Sequence, residues 1–581
     1  MSKTNVFHHL PFLRRARSQG IALGNRRLYS NASGTSALTR SHITAWVLTA
    51  SLAAGIAGYK LGHIGASSTF TSYTIPGEKP RFGTPRDFQL AVVELKRAFA
   101  SDSEDEAQVS TDPEELERHG FSMYDYHPSA FHNVVVYPRS TEDVVKIVNI
   151  ARKYLMPVIP YSGGTSVEGH TRGHSTGGIC VDMSQMDAII EIHEQDSDLV
   201  CQPGCQWMAI NEALQKKGVL LPRDPTLSLI DIFELGIPLF FPLDPGPGAT
   251  IGGMLSTGCS GTNAVRYGTA RGEWFLNATV VLPSGEVIKT RSRARKSSAG
   301  FDLTKLFIGA EGTLGIVTEV TIRLAPVLPT TVAIVHFPDV KQATEAVTDA
   351  LNQGVGIQCA ELVDDRFMHA TNLNGMSMRK WPERDSVFFK FQGPSPAALR
   401  DTAQVVKRVV ERHGGFGFTL AKDEKEAGTL WADRKNALFS TLALVDDPNV
   451  RILGTDVCVP VSNLPQLVLE TKEDLARNNI LFTIVGHVGD GNFHAAILFT
   501  TPTERVAVVE AVHRLVERAI ALDGTCTGEH GVGIGKKQYL RRELGEGTVQ
   551  LMKRIKGSVD PLGLFNPGKL YPDDEDNEHN A

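Results

Sequence analysis

Three glycine-rich segments fall between residues 160 and 326 of this chain: PYSGGTSVEGH (160–170), FPLDPGPGATIGGMLSTGCSGTNAVRYG (241–268) and LFIGAEGTLGIVTEVTIRLAP (306–326). Any one of them reads equally well as turn punctuation. Three so close together are too many for chance turns. They point to a fold whose backbone must approach something closely, as it does where main-chain N–H groups cradle a phosphate.

The surrounding pattern is mixed. Residues 134–170 read as strand, helix, strand and glycine loop, with Ser140 at capping-box spacing before Asp143 and Val144, Ile147, Val148 and Ala151 on one apolar helix face. GGICVDMS (177–184) alternates as a strand, and CQWMAINEALQKKG (205–218) reads as a helix closed by Gly218. From about 330 to 525 helical and strand patterns alternate. VFFKFQG (387–393) is a strand, followed by an amphipathic helix with Val405, Val406, Val409 and Val410 facing inward. This predicts an α+β cap domain with an antiparallel sheet. Residues 526–571 return to glycine-rich chemistry. Residues 219–236 read as an insertion, or as a gene-model artefact, since GVLLPRDP half echoes GIPLFFPLDP downstream.

At 581 residues, with 42% hydrophobic and 21% charged residues, the chain can build two or three domains with sizeable cores. Its first 77 residues contain no Asp or Glu but carry eight Lys and Arg, which reads as a mitochondrial transit peptide over 1–29. Residues 43–59 are uncharged and close to the roughly 20 residues that cross a bilayer. One inner-membrane anchor is expected there, a weakly apolar pre-sequence helix being the alternative. Residues 60–125 read as linker and helical lead-in, and 573–581 as an acidic tail. Setting the eight basic leader residues aside from 59 basic against 65 acidic residues leaves a body of net charge −14. Nucleic acid is thereby disfavoured as a partner, and a basic protein is favoured. The seven cysteines form no CxxC pair, so neither a disulfide framework nor a cysteine zinc site is expected.

The quoted glycine segments, in this order, resemble the FAD-binding half of the vanillyl-alcohol-oxidase (PCMH-type) flavoproteins. VGHVGDGNFH (485–494), CTGEHGVGIGKK (526–537) and DPLGLFNPGKL (560–570) resemble their FAD-linked oxidase C-terminal half. The resemblance implies an FAD-binding domain of two α/β subdomains over 126–328 and a cap domain over 329–572. It also implies noncovalent FAD. Gly163, Gly164, Thr165, Ser166 and Gly169 would form one side of the cradle, and Asp244, Gly252, Gly253, Thr257, Ser260 and Gly261 the other. Glu311, Gly312, Gly315, Ile316 and Val317 would meet the ribityl chain or ring, with Asn566 near the ring. His170 lies close but is not taken as a covalent attachment point. No strand precedes a GxGxxG, so a Rossmann site is disfavoured.

Taken alone, His487 and His494 are two polar residues in a glycine-rich run, a weak metal signal. The resemblance makes them, with Glu529, ligands of a divalent metal such as Zn²⁺ or Mn²⁺. His530 becomes the base that takes the hydroxyl proton of a 2-hydroxy acid, a second-shell role with Glu529 or water as base being the alternative. Arg434 becomes the cation for the substrate carboxylate, while Lys435 points away on the same helix. Within the family the chain is most similar to the mitochondrial branch that passes electrons from D-lactate to cytochrome c, with the catalytic body in the intermembrane space. A D-2-hydroxyglutarate or glycolate dehydrogenase, or a catalytically silent flavin-binding membrane protein, stays open. Gly454, two residues before Asp456, stands where the hydroxyglutarate branch carries a lysine, which favours a short D-2-hydroxy acid.

Overall fold

A computed structural model describes residues 80–100, 108–122, 125–219 and 239–573. The transit peptide, the 43–59 span, nearly all of 219–236 and all of the acidic tail but Asp573 lie outside the described residues. Among the described residues no helix is long and apolar enough to cross a membrane.

The lead-in consists of two helices, Pro85–Ala98 and Pro113–Gly120, each with proline in its first turn and a side-chain cap, from Thr84 and Asp112. Ser140 caps the helix Thr141–Lys153 by accepting from the Asp143 N–H, and Val144, Ile147, Val148 and Ala151 are fully buried beneath it. The flanking strands Val134–Val136 and Val158–Tyr161 both run parallel to Ile179–Asp182. Val109–Ser110 adds an antiparallel edge. A second sheet is antiparallel, in the order Ile189–His193, Asp198–Cys201, Ile316–Arg323, Phe275–Val281, Val287–Lys289. The first and third glycine segments leave or enter these strands, and the second forms the short helix Ile251–Thr257.

The C-terminal tail returns to the first sheet. Val158 donates to the Leu564 carbonyl and the Asn566 N–H to the Val158 carbonyl, both at 2.8 Å, and Leu564 and Phe565 lie in that sheet's core. The span 329–572 therefore does not close on itself: an apolar pair near its end is worth more inside the neighbouring core than on the surface. Lys569 is carried in with it, 2% exposed, its Nζ donating to the Arg172 carbonyl. Burial, together with the charges of Arg172 and Lys537, pushes Lys569 down to about 7. Between that value and the ordinary lysine range the unfolded chain binds the proton and the folded one does not, so stability rises with pH. The stability difference between wild type and Lys569→Met should move in the wild type's favour from about pH 6 to about pH 9, as read from denaturant melts.

The largest sheet is antiparallel, in the order Phe416–Leu420, Thr330–Phe337, Asp385–Gln392, Ile357–Val363, Leu481–His487, Asn492–Phe499, Arg451–Gly454. Strand alternation divides its residues between two faces. Ala360, Leu362, Phe389, Phe482 and Ile484 pack into the main core with helices Val340–Leu351, Pro396–Arg412, Leu464–Arg477 and Pro502–Ala521. On Pro396–Arg412 the buried positions are Leu399, Ala403, Val406, Val409 and Val410, whereas Val405, expected inward, is half-buried at the edge of that stripe. Cys359, Val363, Phe388 and Val485 face the other way, onto a smaller cluster that holds the helix Glu424–Lys435. Glu361 and His487 share the parity of this second face.

Candidate functional site

A cavity opens where the three glycine segments meet the cap. Its lining includes Gly163, Gly164, Thr165 and Ser166 from the first segment, Gly252, Gly253 and Thr257 from the second, and Glu311, Gly312, Gly315, Ile316 and Val317 from the third. Glu529, His530 and Asn566 complete it from the C-terminal half. The approach of the loops is close: a Cβ on Gly163 would sit 2.5 Å from the Gly248 carbonyl oxygen, so this position tolerates only glycine.

Four predicted cofactor residues do not line the cavity. The Asp244 carboxylate accepts from the Thr262 hydroxyl at 2.6 Å and the Asn263 N–H at 2.9 Å, and Gly261 packs directly on it. Asp244, Ser260 and Gly261 thus shape the second loop from behind, and Gly169 packs on His127 and Ile534. Glu311 lines the cavity, and its carboxylate also accepts from the Val532 and Gly533 N–H groups at 2.7 and 2.9 Å. It therefore ties the FAD-type half to the CTGEHGVG loop. Asn566 donates to the Glu311 carbonyl at 2.7 Å and the His170 carbonyl at 3.3 Å. His170 lines the cavity, with Nδ1 on Ser166 and Nε2 3.2 Å from Glu311.

VGHVGDGNFH is a β-hairpin: Val485 pairs with His494 across strands Leu481–His487 and Asn492–Phe499, and Gly491 takes a φ of 81° in the turn. His487 and His494 are therefore diagonal neighbours on one face, where cross-strand side chains reach each other. Their ring centroids are 5.3 Å apart. The CTGEHG loop comes over this face because Asp456 draws it in. One Asp456 oxygen accepts from the Thr527 hydroxyl at 2.7 Å and from the Glu529 and His530 N–H groups at 2.9 and 2.8 Å. Glu529 Oε1 then lies 3.1 Å from His487 Nε2 and 3.2 Å from His494 Nε2, and His530 stacks on His494 at 5.0 Å.

Two overlapping sets could hold a cation. Ligand atoms of Asp456, His494, Glu529 and His530 all lie within 4.8 Å of one another. The set expected from sequence has His487 in place of Asp456 and His530. Hydrogen bonding favours the latter, since Asp456 is already occupied by three donors on one oxygen and by Asn492 on the other. His487 Nδ1 meets Glu361 at 2.9 and 3.0 Å, and His494 Nδ1 donates to the Thr455 carbonyl at 2.9 Å. Each ring thus presents Nε2 to Glu529, the arrangement usual for histidines that bind metal. Glu529 Oε2 is buried without a protein partner. The donor set fits a divalent ion.

Within the cluster the acidic and basic groups balance one another. Burial opposes ionisation of His487, but the Glu361 and Glu529 carboxylates outweigh it and hold the imidazole well above its usual range. Burial likewise penalises the Glu529 carboxylate, yet His487 and His494 keep it well below the carboxylate range. Asp456 is held low against burial by His530, Lys536 and His494. For His530 burial dominates and lowers its affinity for protons, leaving a neutral imidazole, with Nδ1 unpartnered, at the cavity wall.

Arg434, on the helix Glu424–Lys435, is buried, while Lys435 beside it is exposed, as expected of adjacent helical residues. Its Nη2 donates to Glu361 Oε2 at 2.7 Å, and its Nε is buried without a partner. Lys536 is buried, its Nζ 3.0 Å from Glu168 and 3.5 Å from Asp456. Sequence reasoning passed over Glu361 and the loop-drawing role of Asp456. A charged residue inside an otherwise apolar strand, QCAELV, was the available signal for Glu361.

Residues 329–570 match the family described as FAD linked oxidases, C-terminal domain, and residues 132–231 and 237–291 match the FAD binding domain family. The second match breaks inside the segment that reads as an insertion. The chain is 42% identical over 472 residues to the mitochondrial D-lactate dehydrogenase [cytochrome] of Arabidopsis thaliana, covering 80% of this chain and 78% of the relative. It is 40% identical to the corresponding mitochondrial enzyme 1 of Saccharomyces cerevisiae, covering 84% and 81%. The same fold occurs in 4-ethylphenol oxidase from Gulosibacter chungangensis, at 18% identity and a TM-score of 0.68, covering 85% of this chain and 99% of that one. The chain belongs to the FAD-linked oxidase family, in the group that holds the mitochondrial D-lactate dehydrogenases.

Proposed function

We propose that the protein oxidises D-lactate to pyruvate, with FAD bound noncovalently in the glycine-lined cavity and cytochrome c as the final acceptor. The observation that carries this is the CTGEHG loop, whose Glu529 faces the histidine pair while Glu529 and His530 also line the cavity. FAD supplies the acceptor for the hydride from the substrate C2. A divalent ion held by His487, His494 and Glu529 would supply a Lewis acid for the substrate oxygens. The chain's own residues do the rest. Arg434 offers its remaining guanidinium N–H groups to the substrate carboxylate, fixing which face of C2 is presented. His530, neutral through burial, takes the hydroxyl proton at a ring nitrogen as C2 loses its hydride. Asp456 keeps the loop in place through the backbone of both Glu529 and His530.

Mixing the purified holoprotein anaerobically with D-lactate, L-lactate, glycolate and D-2-hydroxyglutarate tests the substrate. Fastest bleaching of the flavin by D-lactate supports the reading; preference for L-lactate or for the dicarboxylate rejects it. Stopped-flow reoxidation with cytochrome c, a quinone or oxygen tests the acceptor, and negligible transfer to cytochrome c rejects that part. The basic leader and the names of the relatives support a mitochondrial location. The 43–59 run would tether the acidic body in the intermembrane space; a truncation lacking it that still resists carbonate extraction argues against the anchor.

Gly454 bears on substrate size. A Cβ there would find only His530 Cε1 near it, at 4.0 Å, so a side chain at 454 would project beside the proposed base. Gly454→Lys should lower kcat/KM for D-lactate and raise it for D-2-hydroxyglutarate, whose second carboxylate gains a cation. An unchanged ratio between the two substrates counts against a specificity role for this position.

A further inference from the structure

We infer that Glu361 is the positioning residue that couples the substrate-binding cation to the metal-binding histidine pair. The inference rests on the function proposed above and adds a residue that neither touches substrate nor reaches the cavity. Glu361 sits on the strand Ile357–Val363, with His487 as its Cα partner on one side and Phe388 on the other, and it is completely buried. Its neighbours on the same face are Cys359 and Val363. An ionised carboxylate in such surroundings persists only if it is paired and hydrogen-bonded.

Both partners are functional candidates. Glu361 Oε2 accepts from Arg434 Nη2 at 2.7 Å, and both oxygens lie 2.9 to 3.0 Å from His487 Nδ1. Arg434 approaches from the helix Glu424–Lys435 and His487 from the adjoining strand Leu481–His487. One carboxylate therefore indexes two side chains from separate elements. Toward His487 it acts as acceptor, holding the proton at Nδ1 and directing Nε2 to Glu529 and the cation. Toward Arg434 it takes one end of the guanidinium fork, while Nε stays buried without a protein partner.

A glutamine at this position can accept one hydrogen bond, but its amide N–H₂ would face either the guanidinium or His487 Nδ1. Facing Nδ1, it would drive the ring proton to Nε2 and block coordination. Metal affinity and substrate affinity should therefore fall together although neither ligand touches Glu361.

The test uses FAD-loaded full-length protein stripped of metal, titrated with Zn²⁺ and separately with Mn²⁺ against a chromophoric chelator. Glu361→Gln should weaken metal binding about 10–100-fold and raise the D-lactate KM more than it lowers kcat, with the flavin spectrum retained. Glu361→Asp keeps the charge on a shorter stem and should lie between wild type and Glu361→Gln in both measures; it carries the test if the glutamine variant fails to retain FAD. Metal affinity equal to wild type in the folded variants overturns the inference and leaves the proposed function standing. A wild type that binds neither ion, with His494→Ala equally active, overturns the metal reading and this inference with it.

Discussion

Replacing His530 with alanine is expected to slow reduction of the bound flavin by D-lactate about 10²–10⁴-fold, the range in which a positioned acid–base group acts. The reason is local. His530 lines the cavity, its Nδ1 has no protein partner, and burial keeps it neutral, so it can receive a proton. Its backbone N–H, not its side chain, binds Asp456, so the truncation should leave the loop in place. Single-turnover stopped flow measures the step directly, and the flavin absorbance of the variant reports whether the cofactor site survived. A flavin-replete variant reduced at the wild-type rate would transfer the base role to Glu529 or to water.

Arg434→Gln should lower kcat/KM for D-lactate by about 10²–10³, since truncating one member of a buried charge pair costs about 2–5 kcal/mol and each 1.4 kcal/mol is a factor of ten. Two effects combine here. The substrate carboxylate loses its cation, and Glu361 loses the donor at 2.7 Å that helps neutralise it inside the sheet. Steady-state kinetics with D-lactate and a thermal melt separate them. A variant destabilised but within threefold of wild type in kcat/KM would show that Arg434 serves Glu361 alone.

Much of the fold could be read along the chain, because the features concerned are local. Ser140 announced a helix start three residues before Asp143, and the apolar spacing of Val144, Ile147, Val148 and Ala151 named the face that is buried. Glycines announced where backbone meets backbone, most tightly at Gly163. The same local signal misled at Asp244, Ser260 and Gly261, since a loop that shapes a cavity and a loop that lines it have the same composition.

The histidine pair marks the boundary. Their spacing by itself allowed a strand and turn or a metal site, and the hairpin shows that the two readings are compatible: the strand and turn are what put two imidazoles on one face. Glu361 was invisible as a partner because it lies far from His487 in sequence and meets it only through the register of two adjacent strands. Asp456, Glu311 and the returning tail are cases of the same kind, each a polar or apolar contact between segments hundreds of residues or many tens apart.

By itself the sequence determined the elements, the glycine cradle, the acidic body and the residue types able to bind a metal and move a proton. Those depend on backbone sterics, side-chain period and charge, which act within a few residues. Only the tertiary structure decided which of those residues face one another, that Asp456 holds the CTGEHG loop through the Glu529 and His530 N–H groups, and that one buried carboxylate meets both Arg434 and His487. Strand register and the packing of helices on sheets decide those things, and both are properties of the whole chain.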